Sequence, residues 1–272
     1  MSKIWQKYER VQTINTGGTA LVYIAIDKIS GYPVAIKELN SSYFRSEIMK
    51  KKFREEANRY VYLEHPNIVS LNNFYDYGDE QYLVMDYIDG VTISQYMKRM
   101  RSPMPYPMAA SIMVQIAEAL DFAHKNGYIH LDIKPSNVML KPDLSVVIID
   151  FGIAHEALSG ELGRPMGTPG YMSPEQIDGG EVGATSDIFS MGMMLYEMVT
   201  GKLAFSWASS NEEIFELTKN TSLPQITPFY PQDKSNWESM WRIIERATMK
   251  SESDRYADCT LFCNDLRTIA NV

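Results

Sequence analysis

Three short stretches gather the side chains best able to do chemistry. "HLDIKPSN" places a carboxylate, an ammonium and a carboxamide at Asp132, Lys134 and Asn137. "VVIIDFG" reads as an apolar strand that ends on a second carboxylate, Asp150. "VAIK" sets Lys37 two residues after Ala35. Asn137 and Asp150 offer hard oxygens of the kind that bind Mg²⁺. Alternation along an extended strand puts Ala35 and Lys37 on one face. Lys37 needs an anionic partner, and the segment after it offers Glu55 and Glu56. A fourth stretch, "INTGGTALVY", resembles a phosphate-cradling glycine loop, G-x-G-x-x-G, with Asn15, Gly17 and Ala20 at the three glycine positions.

Two kinds of element must position these groups. Up to about residue 90 the sequence reads as strands with one helix. "YERVQTIN", "ALVYIAID" and "YPVAIKEL" are rich in β-branched and aromatic residues and are separated by glycine turns. "SEIMKKKFREEANRYVYLE" reads as a helix with a stripe of Ile48, Phe53, Ala57, Tyr60 and Val61, stopped by His65–Pro66. Strands follow around "LNNFYDYG" and "EQYLVMDYI". After Asp89–Gly90 helices dominate. "AASIMVQIAEALDFAHKNG" ends at Gly127, and "SDIFSMGMMLYEMVTG" is apolar nearly all round, which predicts a buried helix capped by Ser186 or Asp187. The proline-rich "SPMPYP" (102–107) reads as a loop, and further helices are predicted near 236–249 and 258–270.

The 272 residues suffice for one sizeable domain or two lobes, and 45% hydrophobic with 22% charged residues is ordinary for a globular protein. A net charge of −8 argues against nucleic acid as a partner. No apolar run reaches membrane-span length, and "MSKIWQKYER" lacks the apolar core of a signal peptide, so a cytoplasmic protein is expected. Cys259 and Cys263 read as reduced thiols packed in a terminal helix. The run Lys50, Lys51, Lys52 and Arg54 reads as a solvated helix face.

With "GTPGYMSPE" at 167–175, the motifs stand in one order along nearly the whole chain and resemble the protein-kinase family. The likeness is greatest to the eukaryotic-like Ser/Thr kinases of bacteria. It implies an α+β, bilobal fold occupying 1–272 as one kinase domain. The N-lobe, about 1–86, would be a five-stranded antiparallel sheet plus one long helix. A hinge at about 86–90 would lead to a mainly α-helical C-lobe at about 91–272.

The resemblance also assigns roles. Asp132 would orient or accept the substrate hydroxyl proton, and Lys134 would stabilise the transferring phosphoryl group. Lys37 would hold ATP phosphates with Glu56, which the family pattern selects over Glu55. Asn137 and Asp150 would bind Mg²⁺, for which Mn²⁺ could substitute. The nucleotide would also meet Ile14, Asn15, Thr16, Gly17, Gly18, Thr19, Ala20, Val22, Ala35, Met85, Asp86, Ile88 and Met139. Thr168 would contact Asp132 and Lys134, Glu175 would pair with Arg255, Asp187 would anchor the catalytic loop, and His130 would pack. The implied substrates are protein Ser/Thr hydroxyls, with autophosphorylation or a homodimer also allowed by the likeness. A scaffold that keeps the fold without phosphoryl transfer is the alternative, which retention of Lys37, Asp132, Asn137 and Asp150 argues against.

Two departures stand out. Leu131 replaces the arginine that usually clamps a phosphorylated activation segment. This predicts independence from phosphorylation there, where Ser159 is the hydroxyl candidate between Gly152 and Gly167. Asn15 and Ala20 in the glycine loop predict weaker or slower nucleotide handling without loss of chemistry, because Asn tolerates φ > 0 and Ala intrudes least.

Overall fold

A computed structural model of the chain describes residues 2–16, 20–151 and 165–270. Gly17, Gly18, Thr19, Gly152 and Ser159 lie outside the described residues. The chain divides into two compact units, Met1–Asp89 and Gly90–Val272.

The first unit opens with α1 (Ile4–Lys7) and a five-stranded antiparallel sheet. Its strands are β1 (Tyr8–Thr16), β2 (Ala20–Asp27), β3 (Pro33–Leu39), β4 (Leu71–Asp76) and β5 (Gln81–Asp86), in spatial order β1-β2-β3-β5-β4. Period-two alternation sorts the core. Val34 and Ile36 join Ile4, Tyr8, Ala25, Tyr82 and Val84 in one cluster. Leu39, Ala20 and Leu83 form another with Phe53 and Ala57 of α2 (Glu47–Tyr62). Each large apolar side chain so buried contributes about 1.5–3 kcal/mol.

Ser46 caps α2 by accepting from the Met49 amide at 3.3 Å. The buried face of the helix runs through Phe53, Glu56, Ala57 and Tyr60. Ile48 and Val61, expected on that stripe, are each 69% exposed. The register of α2 turns them outward and brings Glu56 in. Ala20 is a ladder-paired strand residue opposite Leu39, and its methyl joins the α2-side core. An extended position that packs a small apolar group suits alanine.

The second unit contains a small antiparallel sheet of β6 (Val91–Thr92), β7 (Val138–Leu140) and β8 (Val146–Ile148). Its described helices are α3 (Ile93–Met100), α4 (Tyr106–Lys125), α5 (Pro174–Asp178), α6 (Ala184–Thr200), α7 (Asn211–Asn220), α8 (Lys234–Ala247) and α9 (Cys259–Ala270). The end of "SPMPYP" is helical and not loop, because Pro107 sits in the first turn of α4, where a missing N–H is tolerated. Neither Ser186 nor Asp187 is the N-cap of α6. Gly183 occupies that position, and Ser186 Oγ accepts from the Gly183 amide at 3.3 Å. A Cβ on Gly192 of α6 would stand 2.7 Å from Thr248 Cγ2 and 2.8 Å from Ala247 Cβ, so α6 and the end of α8 approach closely there. Cys259 and Cys263 are free and buried in α9. Among the described residues, no helix is long and apolar enough to cross a membrane.

Candidate active site

In the first unit, antiparallel register builds rows across three strands. Val22, Lys37 and Leu83 lie opposite one another, and so do Ile24, Ala35 and Met85. Lys37 Nζ donates to Glu56 Oε1 at 2.7 Å, with only 14% and 6% of the two side chains exposed. Of the two carboxylates the sequence offers, Glu56 is therefore the one that faces Lys37. Glu55 turns outward to Lys51 at 3.6 Å. The basic run is also engaged locally, with Arg54 on Asp76 at 2.7 Å and Lys50 on Glu47 at 3.2 Å. Ile14 is half-exposed at an irregularity in the β1–β2 ladder, Met85 is buried, and Asp86 and Ile88 follow near the end of the first unit.

In the second unit, the stretch after α4 carries a dense polar cluster. Lys134 Nζ donates to Asp132 Oδ2 at 2.6 Å, and Thr168 Oγ1 donates to Asp132 Oδ1 at 2.6 Å. Lys134 also reaches Thr168 Oγ1 at 2.5 Å, closing a triangle. Asn137 Nδ2 donates to the Asp132 carbonyl at 2.9 Å and to its Oδ2 at 3.2 Å. With the amide nitrogen so engaged, the carbonyl Oδ1 of Asn137 is left as a hard oxygen ligand. The Ile149 amide donates to the Asn137 carbonyl at 2.9 Å, which ties Asn137 to the residue preceding Asp150. A carboxamide oxygen and a partly exposed carboxylate on adjoining segments form a donor set that fits Mg²⁺ sharing its shell with phosphates and water. Met139 lies on β7, opposite Thr92 and Val147.

The loop is held from inside. Asp187, fully buried in the first turn of α6, accepts from the His130 amide at 2.8 Å and the Leu131 amide at 2.7 Å. His124 Nε2 stands 2.7 Å from the same carboxylate. Burial pushes the Asp187 carboxyl upward, but the hydrogen bond from His124, the pull of the neighbouring His124 and His130 rings and the His130 amide outweigh it and hold it below the ordinary value. Leu131 is buried with φ 63°, a left-handed conformation that costs a non-glycine residue about 1–2 kcal/mol. Its amide is fixed by Asp187, and its carbonyl accepts from Gln176 Nε2 at 2.8 Å. His130 packs: its ring centroid lies 4.6 Å from that of Phe151, and its Nδ1 accepts from the Asp132 amide at 3.2 Å.

The segment carrying Thr168 is secured in turn. A Cβ on Gly167 (φ 126°) would meet Met172 Cγ at 2.9 Å and the Leu131 carbonyl at 3.1 Å, so glycine lets this segment lie against the loop. Arg255 grips Glu175 with two bonds of 2.7 and 2.8 Å. Burial raises the Glu175 carboxyl, but Arg255 and the Ser186 hydroxyl bring it below the usual range. Tyr171 hydrogen-bonds Glu197, whose carboxyl is pushed upward by burial. Sequence reasoning missed Gln176, although Ser173 three residues earlier completes a capping-box pattern that could have flagged it. It also missed His124, which nothing in its spacing distinguishes.

A family model described as "Protein kinase domain" matches residues 8–265. Serine/threonine-protein kinase PrkC of Bacillus subtilis is 35% identical over 274 residues, covering 98% of this chain and 41% of the relative. Probable serine/threonine-protein kinase PknB of Lactococcus lactis is 33% identical over 267 residues, covering 96% and 42%. Serine/threonine-protein kinase PknB of Mycobacterium tuberculosis is 31% identical over 282 residues, covering 99% and 44%. The chain thus spans about two-fifths of the length of these curated relatives.

Proposed function

Because the chain belongs to the protein kinase family, we propose that it transfers the γ-phosphoryl group of Mg·ATP to serine and threonine hydroxyls of proteins. The observation that carries this reading is the Asp132 carboxylate, held between the Lys134 ammonium and the Thr168 hydroxyl. The relatives are serine/threonine-protein kinases by name, which supports the Ser/Thr class.

Phosphoryl transfer asks a protein mainly for positioning and charge compensation. A substrate hydroxyl takes the place beside Asp132 and gives its proton to that carboxylate as its oxygen attacks the γ-phosphorus. The bond to the β-phosphate oxygen breaks, and ADP leaves. Lys134 offsets charge on the transferring group. Lys37, held by Glu56, binds the phosphates that stay behind. Asn137 Oδ1 and Asp150 would hold Mg²⁺, which when bound neutralises phosphate charge. The Ala35–Met85 and Lys37–Val22 rows supply one apolar face for a flat base, with a cation one step along it.

The reading includes independence from phosphorylation of the activation segment. Buried Leu131 has no donor for a phosphate where relatives with arginine would have one. Incubation with labelled Mg·ATP, beside Lys37→Ala and Asp132→Asn controls, tests the transfer. Label on the protein or on a basic substrate, absent from both controls, is expected. ATP binding without transfer would mark a scaffold instead. Ser159→Ala and phosphatase treatment are expected to leave the rate within about tenfold, or roughly 1.4 kcal/mol; a larger loss removes the independence claim.

A further inference from the structure

Three helices of the second unit converge on one imidazole. His124, near the end of α4, has Nε2 at 2.7 Å from Asp187 Oδ2 on α6. Its Nδ1 lies 3.6 Å from the thiol of Cys259, the first residue of α9. Asp187 in turn carries the amides of His130 and Leu131. A chain of contacts therefore runs from a cysteine with no role in the proposed transfer to the backbone flanking Asp132.

The chemistry of each partner favours one arrangement of hydrogens along this chain. A carboxylate only accepts, so the Nε2 facing Asp187 must carry a hydrogen. The partner of Nδ1 is fully buried, and burial followed by the nearby carboxylates of Asp187, Asp121 and Asp258 holds Cys259 as a thiol. A thiol is a weak donor and a weak acceptor, but only its donating role gives its own hydrogen a partner here. With the thiol as donor, Nδ1 presents its lone pair and the ring is held as a single tautomer.

We propose that Cys259 is a positioning residue for the catalytic loop: its S–H donates to Nδ1 of His124, fixing the hydrogen on Nε2 so that the ring braces Asp187. The consequence for turnover rests on the kinase reading above, whereas the state of the ring does not.

Imidazole ¹⁵N spectra near neutral pH, amide exchange at Leu131 and steady-state kinetics are measured on the whole chain and on Cys259→Ala and Cys259→Ser. The unaltered protein shows a protonated Nε2 and a bare Nδ1 on His124. Serine, which keeps a donor, retains that pattern and kcat within about twofold. Alanine loses the single pattern, exchanges the Leu131 amide faster and lowers kcat about three- to tenfold, the value of one weak hydrogen bond, with KM for ATP unchanged. Protonation of both ring nitrogens in the unaltered protein overturns the proposal. So does an alanine variant with the original ring signals, whatever its kcat. An altered ring with unchanged Leu131 exchange and kcat overturns it too. If alanine fails to fold, the unaltered protein and the serine variant still decide. If no form transfers phosphate, the kinase reading fails, and the ring signals with Leu131 exchange judge the positioning role alone.

Discussion

The Leu131 amide donates to Asp187 at 2.7 Å while Leu131 itself holds a left-handed φ of 63°. One buried carboxylate thus secures a strained residue immediately before Asp132. Asp187→Asn keeps the shape but presents one accepting oxygen to two amides and a ring N–H. A buried donor left unsatisfied costs about 1–3 kcal/mol. The variant is expected to lose that much in urea unfolding and to lose kcat more than affinity for ATP. Unchanged stability would show that the amides find another acceptor.

Lys37 and Glu56 form a mostly buried ion pair, so removing one partner and removing both should differ. Lys37→Met leaves a buried carboxylate facing a thioether, and breaking a buried pair from one side costs about 3–5 kcal/mol. Lys37→Met with Glu56→Leu removes both charges and should recover most of that loss. Both forms should be inactive in transfer. Denaturant titration of the unaltered protein, the single variant and the double variant checks the stability claim, and equal loss in the single and double variants would contradict it.

What was legible in the sequence follows from element length and from which physics decides a position. The long strands and the helices near 47–62, 106–125 and 184–200 declare themselves through period-two or near-continuous apolar patterning over many residues. The strands at 91–92 and 138–140 are too short for any period to show, whereas the continuous apolar run into Asp150 marked 146–148 as a strand. The type and order of Asp132, Lys134, Asn137 and Asp150 were readable because motifs are local. Glu56 against Glu55 was not readable from periodicity, since neighbouring positions on a helix point about 100° apart and only the packed rotation of α2 selects one. Ile48 and Val61 failed for the same reason. Ser186 and Asp187 looked like caps because their side chains suit an N-cap, but tertiary contacts with Glu175 and with the His130 and Leu131 amides claim both.

Gly192 offers a test of close helix approach. A methyl there would meet Thr248 Cγ2 and Ala247 Cβ inside van der Waals distance. Overpacking of this kind costs about 1–3 kcal/mol, and Gly192→Ala should show it as a lower denaturation midpoint. Adding Thr248→Ser removes one clashing methyl while keeping the hydroxyl bond to the Ile244 carbonyl at 2.8 Å, so the double variant should recover part of the loss. No recovery would place the strain on Ala247 alone.

Stability should fall in acid, and Glu175 supplies part of the slope. Its folded carboxyl sits below the ordinary value because Arg255 and Ser186 outweigh burial, and Asp187 behaves alike through His124 and the loop amides. Each group binds a proton less readily folded than unfolded. The stability they contribute is therefore complete above the unfolded carboxylate range, near about pH 5, and drains as pH falls through the lower folded values. Glu197 has the opposite sign: burial raises its folded value, so its contribution is full at low pH and is lost as pH rises through that value. Urea unfolding at pH 7 and at pH 4 separates these effects. Glu175→Gln should be less stable than the unaltered chain at pH 7 yet lose less on acidification, because Arg255 no longer has a carboxylate to lose. Glu197→Gln should be relatively favoured at pH 7 and close to the unaltered chain at pH 4. Parallel losses in all three proteins would mean that the acid slope arises from other carboxylates.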